Sequence, residues 1–136
     1  MITLQQYFGG KAHTPDQEQC AIYLLNRVNA LLEEARIAGV YNGEIDKDTG
    51  TQISGSYNGS GDGGFRLPAS TTGSPTSSHK EAKGIDVYDP QEALDTWITR
   101  AILIKYNLYR EHPDYTKSYC HLTTRAPKSG TRTFIP

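Results

Sequence analysis

Cysteine is scarce in this chain, and its scarcity excludes two common architectures. The 136 residues hold only Cys20 and Cys120, a hundred positions apart, which makes neither a disulfide framework nor a Cys-x-x-Cys metal or redox motif. Both are expected to be small buried hydrophobes without a bridge. An excess of one charge is missing too. Fourteen basic against fifteen acidic side chains leave a net charge of -1, so the footprint of a general nucleic-acid or anionic-membrane binder is lacking. No apolar run approaches the roughly 20 residues that cross a bilayer, so membrane insertion is not expected. The opening MITLQQYFGGKAHT lacks the charged-then-apolar order of a signal peptide, which predicts a product made in the cytoplasm. There is no internal repeat, and no heptad run long enough for a coiled coil.

What is present fits a small globular unit. Apolar residues at 36% and charged residues at 21% are slightly polar for a folded domain yet far from a disordered composition, and 15.0 kDa suits one domain over residues 1–136. A monomer with one modest core is expected.

The clearest periodicity runs from Thr14 to Gly39. Thr14 can cap, Pro15 suits the first helical position, and Gln17 sits where a capping-box partner belongs. Ala21, Leu24, Leu25, Val28, Leu31, Leu32 and Ala35 recur at helical spacing, and Gly39 supplies a stop. This predicts a long amphipathic scaffolding helix. A second helix is predicted from Asp89-Pro90, with Asp89 as cap and Glu92 completing the box. Ala93, Leu94, Trp97, Ile98, Ala101 and Ile102 form its face, and it fades near Tyr106-Asn107.

Between them, Gly50 to Ser78 holds seven glycines and seven serines in 29 residues, broken by strand-like pieces at Thr51-Gln52-Ile53 and Gly64-Phe65-Arg66-Leu67. Composition alone reads as a linker. Inside so small a domain, a long irregular stretch is more often functional. Near the end, Ser118 to Thr123 and Thr131 to Ile135 are β-prone, separated by the turn material Ala126 to Gly130. The class is α+β with a small sheet.

Four histidines are available: His13, His79, His112 and His121. His79 precedes Asp86 by seven positions. With His121 on a neighbouring strand, they form two nitrogens and one oxygen, the set that leaves one corner of a hydrolytic zinc site open for water. The same spacing also suits a solvated loop histidine beside a helix-flanking aspartate. His13 precedes a helix cap without a partner in sequence and reads as a surface residue. Cys120 precedes a ligand on a presumed strand, so its thiol faces away from His121.

Gly64-Phe65-Arg66-Leu67-Pro68, then Ser77-x-His79-x6-Asp86, then Tyr119-Cys120-His121 resemble, in order, the S-G-Y-R-P, S-x-H-x-x-G-x-A-x-D and W-x-H blocks of the D-alanyl-D-alanine carboxypeptidase family. These zinc metallopeptidases include phage endolysins and vancomycin-resistance dipeptidases and share a fold with the Hedgehog signalling domain. The start Ile2 to Gly10, the stretch Gly84 to Pro90, and the end from Glu111-His112-Pro113 through Phe134-Ile135-Pro136 look like small phage and prophage members. The resemblance thus runs nearly end to end.

It implies a Hedgehog/DD-peptidase-like α+β fold, with helices packed on a small antiparallel sheet and a zinc groove between sheet and glycine-rich loops, one wall being Ser70 to Ser78. It makes His79, Asp86 and His121 the ligands of Zn2+. Arg66 would hold a substrate carboxylate or polarise the scissile carbonyl, since a guanidinium offers paired donors to a planar carboxylate. Ser77 would support the site or contact substrate, and capping its own loop is the alternative. Two departures stand out. Ala82 replaces the family's glycine and Gly84 its alanine, which puts the backbone path between the ligands in question. Many members also place a catalytic glutamate three residues before the last histidine; here that position is Ser118, which cannot act as a base at neutral pH. Glu111 is the substitute, carried by the shared phage-type segment and returned to the metal by a loop, with Asp114 and His112 as rivals.

The implied activity is hydrolysis of an amide in the peptidoglycan stem peptide, either release of a terminal D-alanine or a cut between L-alanine and a D-glutamate unit. A bacterial or phage product without a signal peptide would act at the cell wall during lysis or from a virion. The alternative is a non-catalytic cell-wall-binding or virion structural protein that retains the fold, as Ser118 permits.

Overall fold

A computed structural model describes residues 1–55 and 62–136; the part of the glycine- and serine-rich stretch at 56–61 lies outside the described residues. The chain opens with a short helix that the sequence did not announce, α1 (Leu4–Phe8). Thr3 and Gln6 close a capping box around it, and its Tyr7 and Phe8 side chains are buried. Five residues are too few for a periodic signal, so this helix depends on its cap and its burial.

The predicted long helix is present as α2 (Pro15–Ile37). Gln17 N–H donates to Thr14 Oγ1 at 3.1 Å and Thr14 N–H to Gln17 Oε1 at 2.8 Å. Its end is a Schellman arrangement around Gly39 at φ 72°, where Val40 N–H donates to Ala35 C=O and Gly39 N–H to Arg36 C=O, both at 3.0 Å. All seven stripe residues are buried.

The second predicted helix is two short ones, α3 (Ala93–Trp97) and α4 (Arg100–Tyr106). Asp89 does cap, accepting from Leu94 N–H at 3.0 Å and Asp95 N–H at 3.2 Å, but Pro90 lies in the turn before the helix and Glu92 stands at φ 56° without completing a box. Ile98 is extended, and Thr99 Oγ1 takes Ile102 N–H to restart the chain as α4. The β-branched Ile98-Thr99 pair thus prefers a fresh cap to continuing the helix.

Four strands form one sheet in the order β1 (Gly84–Tyr88), β3 (Tyr119–Thr123), β2 (Tyr109–Glu111), β4 (Thr133–Phe134). The expected antiparallel sheet is in fact mixed: β1–β3 and β3–β2 are antiparallel, and β2–β4 is parallel. The reason is occupancy of edges. Since β1 and β2 already flank β3, the chain returning from β3 lands beyond β2 and runs in the same direction as it.

Of the strand-like pieces, Thr51 and Ile53 make only isolated bridges, to Asp46 and Val87, and Gly64–Leu67 is not a strand. They cover the outer edge of β1 instead. Asp86 N–H donates to Gly63 C=O at 2.7 Å, Ser54 N–H to Asp86 C=O at 2.8 Å, and Phe65 N–H to Tyr7 C=O at 3.0 Å. A Cβ on Gly63 would fall 2.0 Å from Ser54 O, so this close approach requires glycine.

Ile85 and Val87 of β1 and Cys120 and Leu122 of β3 are fully buried in the same cluster as the α2 stripe. Cys120 therefore packs in the core, Cys20 is only half-buried, and both are free thiols. Among the described residues no helix is long and apolar enough to cross a membrane.

Candidate metal centre

Alternation in β1 and β3 sends Ile85, Val87, Cys120 and Leu122 to the core and leaves Asp86 and His121 on the other face. The two are direct cross-strand partners, and His121 Nδ1 lies 2.8 Å from Asp86 Oδ1. His79 arrives from a different element, a 3-10 turn over Ser78–Glu81. Ser77 caps that turn by accepting His79 N–H at 3.2 Å, and Ala82 closes it in the left-handed region at φ 59°. Ala82 thus adopts, at a cost on the order of 1 kcal/mol, the conformation a glycine takes freely. Gly84 then passes beneath the turn: a Cβ there would lie 2.3 Å from Ser78 Oγ and 3.3 Å from His121 Cε1.

The sequence-predicted trio is brought together. One donor atom from each of His79, Asp86 and His121 lies within 4.8 Å of the others, all three residues are buried, and the group could hold a metal ion. The imidazole centroids of His79 and His121 are 5.1 Å apart. His79 Nδ1 sits 2.8 Å from Gly64 C=O, which can only accept, so this nitrogen carries the proton. Its Nε2 lone pair therefore points at Asp86 Oδ1, 3.2 Å away.

Burial pushes the His79 imidazole below its ordinary pKa. Burial pushes the Asp86 carboxyl up, but the facing His79 and His121 outweigh it and hold it well below the usual carboxylate range. A ring nitrogen this close to a carboxylate oxygen calls for a cation between them, met either by a second proton on the imidazole, the charge that lowers Asp86, or by a divalent metal.

Arg66 is buried beside them and donates from Nη2 to Asp86 Oδ2 at 3.3 Å, leaving Oδ1 for the imidazoles. Its Nε donates to Asp62 C=O at 2.7 Å, and its Nη1 to Ser77 Oγ at 3.4 Å and Thr72 C=O at 3.5 Å. Ser77 thus ties the histidine turn to the arginine, so its capping and supporting roles coincide.

Glu111 reaches the site from a strand, not from a returning loop as expected. The β2–β3 register pairs Tyr109 with Thr123 and Arg110 with Leu122, and its continuation sets Glu111 opposite His121. Glu111 also pairs with Phe134 of β4. Asp86, His121, Glu111 and Phe134 thus form one row across all four strands and line a single groove of about 360 Å³, together with Arg66, His79 and Ser77. Glu111 is half-buried, and burial raises its pKa.

The rivals are not brought to the groove: Asp114 is exposed, and its N–H donates to His112 Nδ1 at 3.1 Å. Ser118 is exposed at φ 71°, its carbonyl accepting Asp89 N–H, and it does not line the groove either. His13 is exposed and stacks on Phe8. Arg125, which no sequence motif marks, also lines the groove four residues beyond His121; a cation just past the strand bearing His121 is the signal available for it. Compared with family models, curated proteins and solved structures, the chain finds no match.

Proposed function

We propose that this chain is a zinc-dependent peptidase that hydrolyses an amide bond in the stem peptide of peptidoglycan, with a Hedgehog/DD-peptidase-like fold. One observation carries the reading: a buried two-nitrogen, one-oxygen set shares a groove with a further carboxylate, Glu111. Two imidazoles and one carboxylate suit zinc, and the motif resemblance points the same way. When bound, zinc supplies a Lewis acid that polarises the scissile carbonyl and lowers the pKa of water toward 7.

The chain's own residues supply the rest. Glu111, across the strand from His121, takes the proton of the attacking water and passes it to the leaving amine. Arg66 donates from Nη2 to Asp86 Oδ2 and so keeps that carboxylate aimed. Ser77 holds both Arg66 and the turn bearing His79. The peptide lies along the groove floor, and the protein acts at the cell wall as a phage or prophage product.

Digestion of purified muropeptides by the zinc-loaded protein, read by mass analysis, tests this. Hydrolytic fragments that disappear in Glu111→Gln, with zinc retained, are expected. Zinc and peptide binding without any fragment would overturn the peptidase and favour the non-catalytic cell-wall binder that Ser118 allows.

A further inference from the structure

Two guanidiniums line the groove, and their hydrogen bonding differs. Arg66 has its Nε and Nη2, the pair that forms a side-on fork, committed to Asp62 C=O and Asp86 Oδ2. Arg125 uses only Nη1, which donates to Thr76 C=O at 2.7 Å and Glu81 Oε1 at 2.8 Å; among the described residues its Nε and Nη2 donate to nothing. A guanidinium held by one nitrogen with its fork open is prepared for a planar anion.

The mounting of Arg125 is rigid. Its N–H donates to Thr123 Oγ1 at 3.0 Å, while Thr123 Oγ1 donates to Lys83 C=O at 2.8 Å and Thr124 N–H to the same carbonyl at 3.0 Å. These bonds fasten the end of β3 to the segment just after the His79 turn. The rim also keeps net positive charge: Glu81 faces both Arg125 at 2.8 Å and Lys83 at 3.7 Å, one carboxylate for two cations. Arg66, by contrast, is neutralised by Asp86.

We infer that Arg125 is the specificity residue that grips a carboxylate of the peptide in the groove, so that a substrate acid is preferred over its amide. The inference rests on the peptidase reading for the identity of the peptide. The carboxylate has two possible sources, the end of the stem peptide or a branch at its glutamate unit, and either presents the same two oxygens to the fork. Arg66 is then a positioning residue for Asp86 and leaves recognition to Arg125.

The test uses three zinc-loaded proteins, wild type, Arg125→Ala and Arg125→Lys, and three stem peptides: unmodified, amidated at the terminus, and amidated at the branch. Calorimetric binding and hydrolysis are both measured. For wild type, one of the two amides is expected to bind about tenfold more weakly than the acid, since a half-exposed rim screens part of a charge-assisted pair. Which amide weakens names the source. Arg125→Ala should bind the acid and that amide alike, with raised KM and unchanged kcat. Arg125→Lys, which keeps the charge but not the fork, should recover part of the difference and guards against misfolding of the alanine variant. Equal binding of all three peptides by wild type, or discrimination that survives in Arg125→Ala, would overturn the assignment. Discrimination without hydrolysis supports Arg125 while sinking the peptidase; hydrolysis without discrimination sinks Arg125 alone.

Discussion

Replacing Gly84 by alanine introduces the residue found at that place in the motif this segment resembles, and in this chain it should be harmful. The new Cβ would lie 2.3 Å from Ser78 Oγ, 3.1 Å from Ser78 Cβ and 3.3 Å from His121 Cε1. Rotating the hydroxyl away relieves the first contact and leaves the other two, so the turn carrying His79 must lift off β1. Overpacking of this kind costs about 1–3 kcal/mol. With an unfolding entropy of roughly 2.1 cal/mol/K per residue, that is a fall in Tm of roughly 3–10 °C for a chain of this length. Calorimetric scans with and without zinc should show both the lower Tm and a smaller zinc-induced rise. Adding Ser78→Ala, which deletes the nearest clashing atom, should recover much of the loss, a coupling within the roughly 0.5–3 kcal/mol seen for touching residues. A Gly84→Ala protein with unchanged Tm and unchanged zinc response would refute the claim that this junction sets the spacing of the ligands.

Other outcomes follow from this geometry together with the proposed hydrolysis. Saturating zinc at about a hundred times its Kd should stabilise the protein by about 2.7 kcal/mol, or roughly 9 °C in Tm, and chelator should reverse it; no shift would remove the metal site. Glu111→Gln should lower kcat by about 10²–10⁴-fold at unchanged zinc content, and full activity would take the base role from Glu111. Ser118→Glu should leave hydrolysis unchanged, because Ser118 is exposed and outside the groove; a gain would place the base at 118. Arg66→Lys should weaken zinc binding about tenfold, through lost alignment of Asp86, as measured by competition with a chromogenic chelator; unchanged affinity would show that Asp86 needs no such support.

Local signals were legible where local chemistry decides the structure. The Thr14–Gln17 box and the α2 stripe are short-range patterns, and they form as written. The union of His79, Asp86 and His121 came from ordered motifs, since spacing alone does not fix a meeting of a turn with two strands. Strand β2 was invisible because Tyr109-Arg110-Glu111 is too short for alternation and exists only through partners on both sides. Without that strand, Glu111 reads as a loop residue. The parallel pairing of β4 was equally hidden, because it depends on which sheet edge is still free. The break at Ile98-Thr99 shows a local preference that the apolar face of the predicted helix had masked. Arg125 was missed because its open fork is defined by where Thr76 and Glu81 sit, far from it in sequence.

Crystals grown with zinc and recorded at the zinc absorption edge put the proposed centre to the most direct test. The expected result is one anomalous peak per chain at bonding distance, about 2.0–2.2 Å, from His79 Nε2, His121 Nδ1 and an Asp86 oxygen, and no such peak in His79→Ala. A fully occupied peak on other residues, or wild-type crystals whose three side chains close on one another with no metal between them, would contradict it.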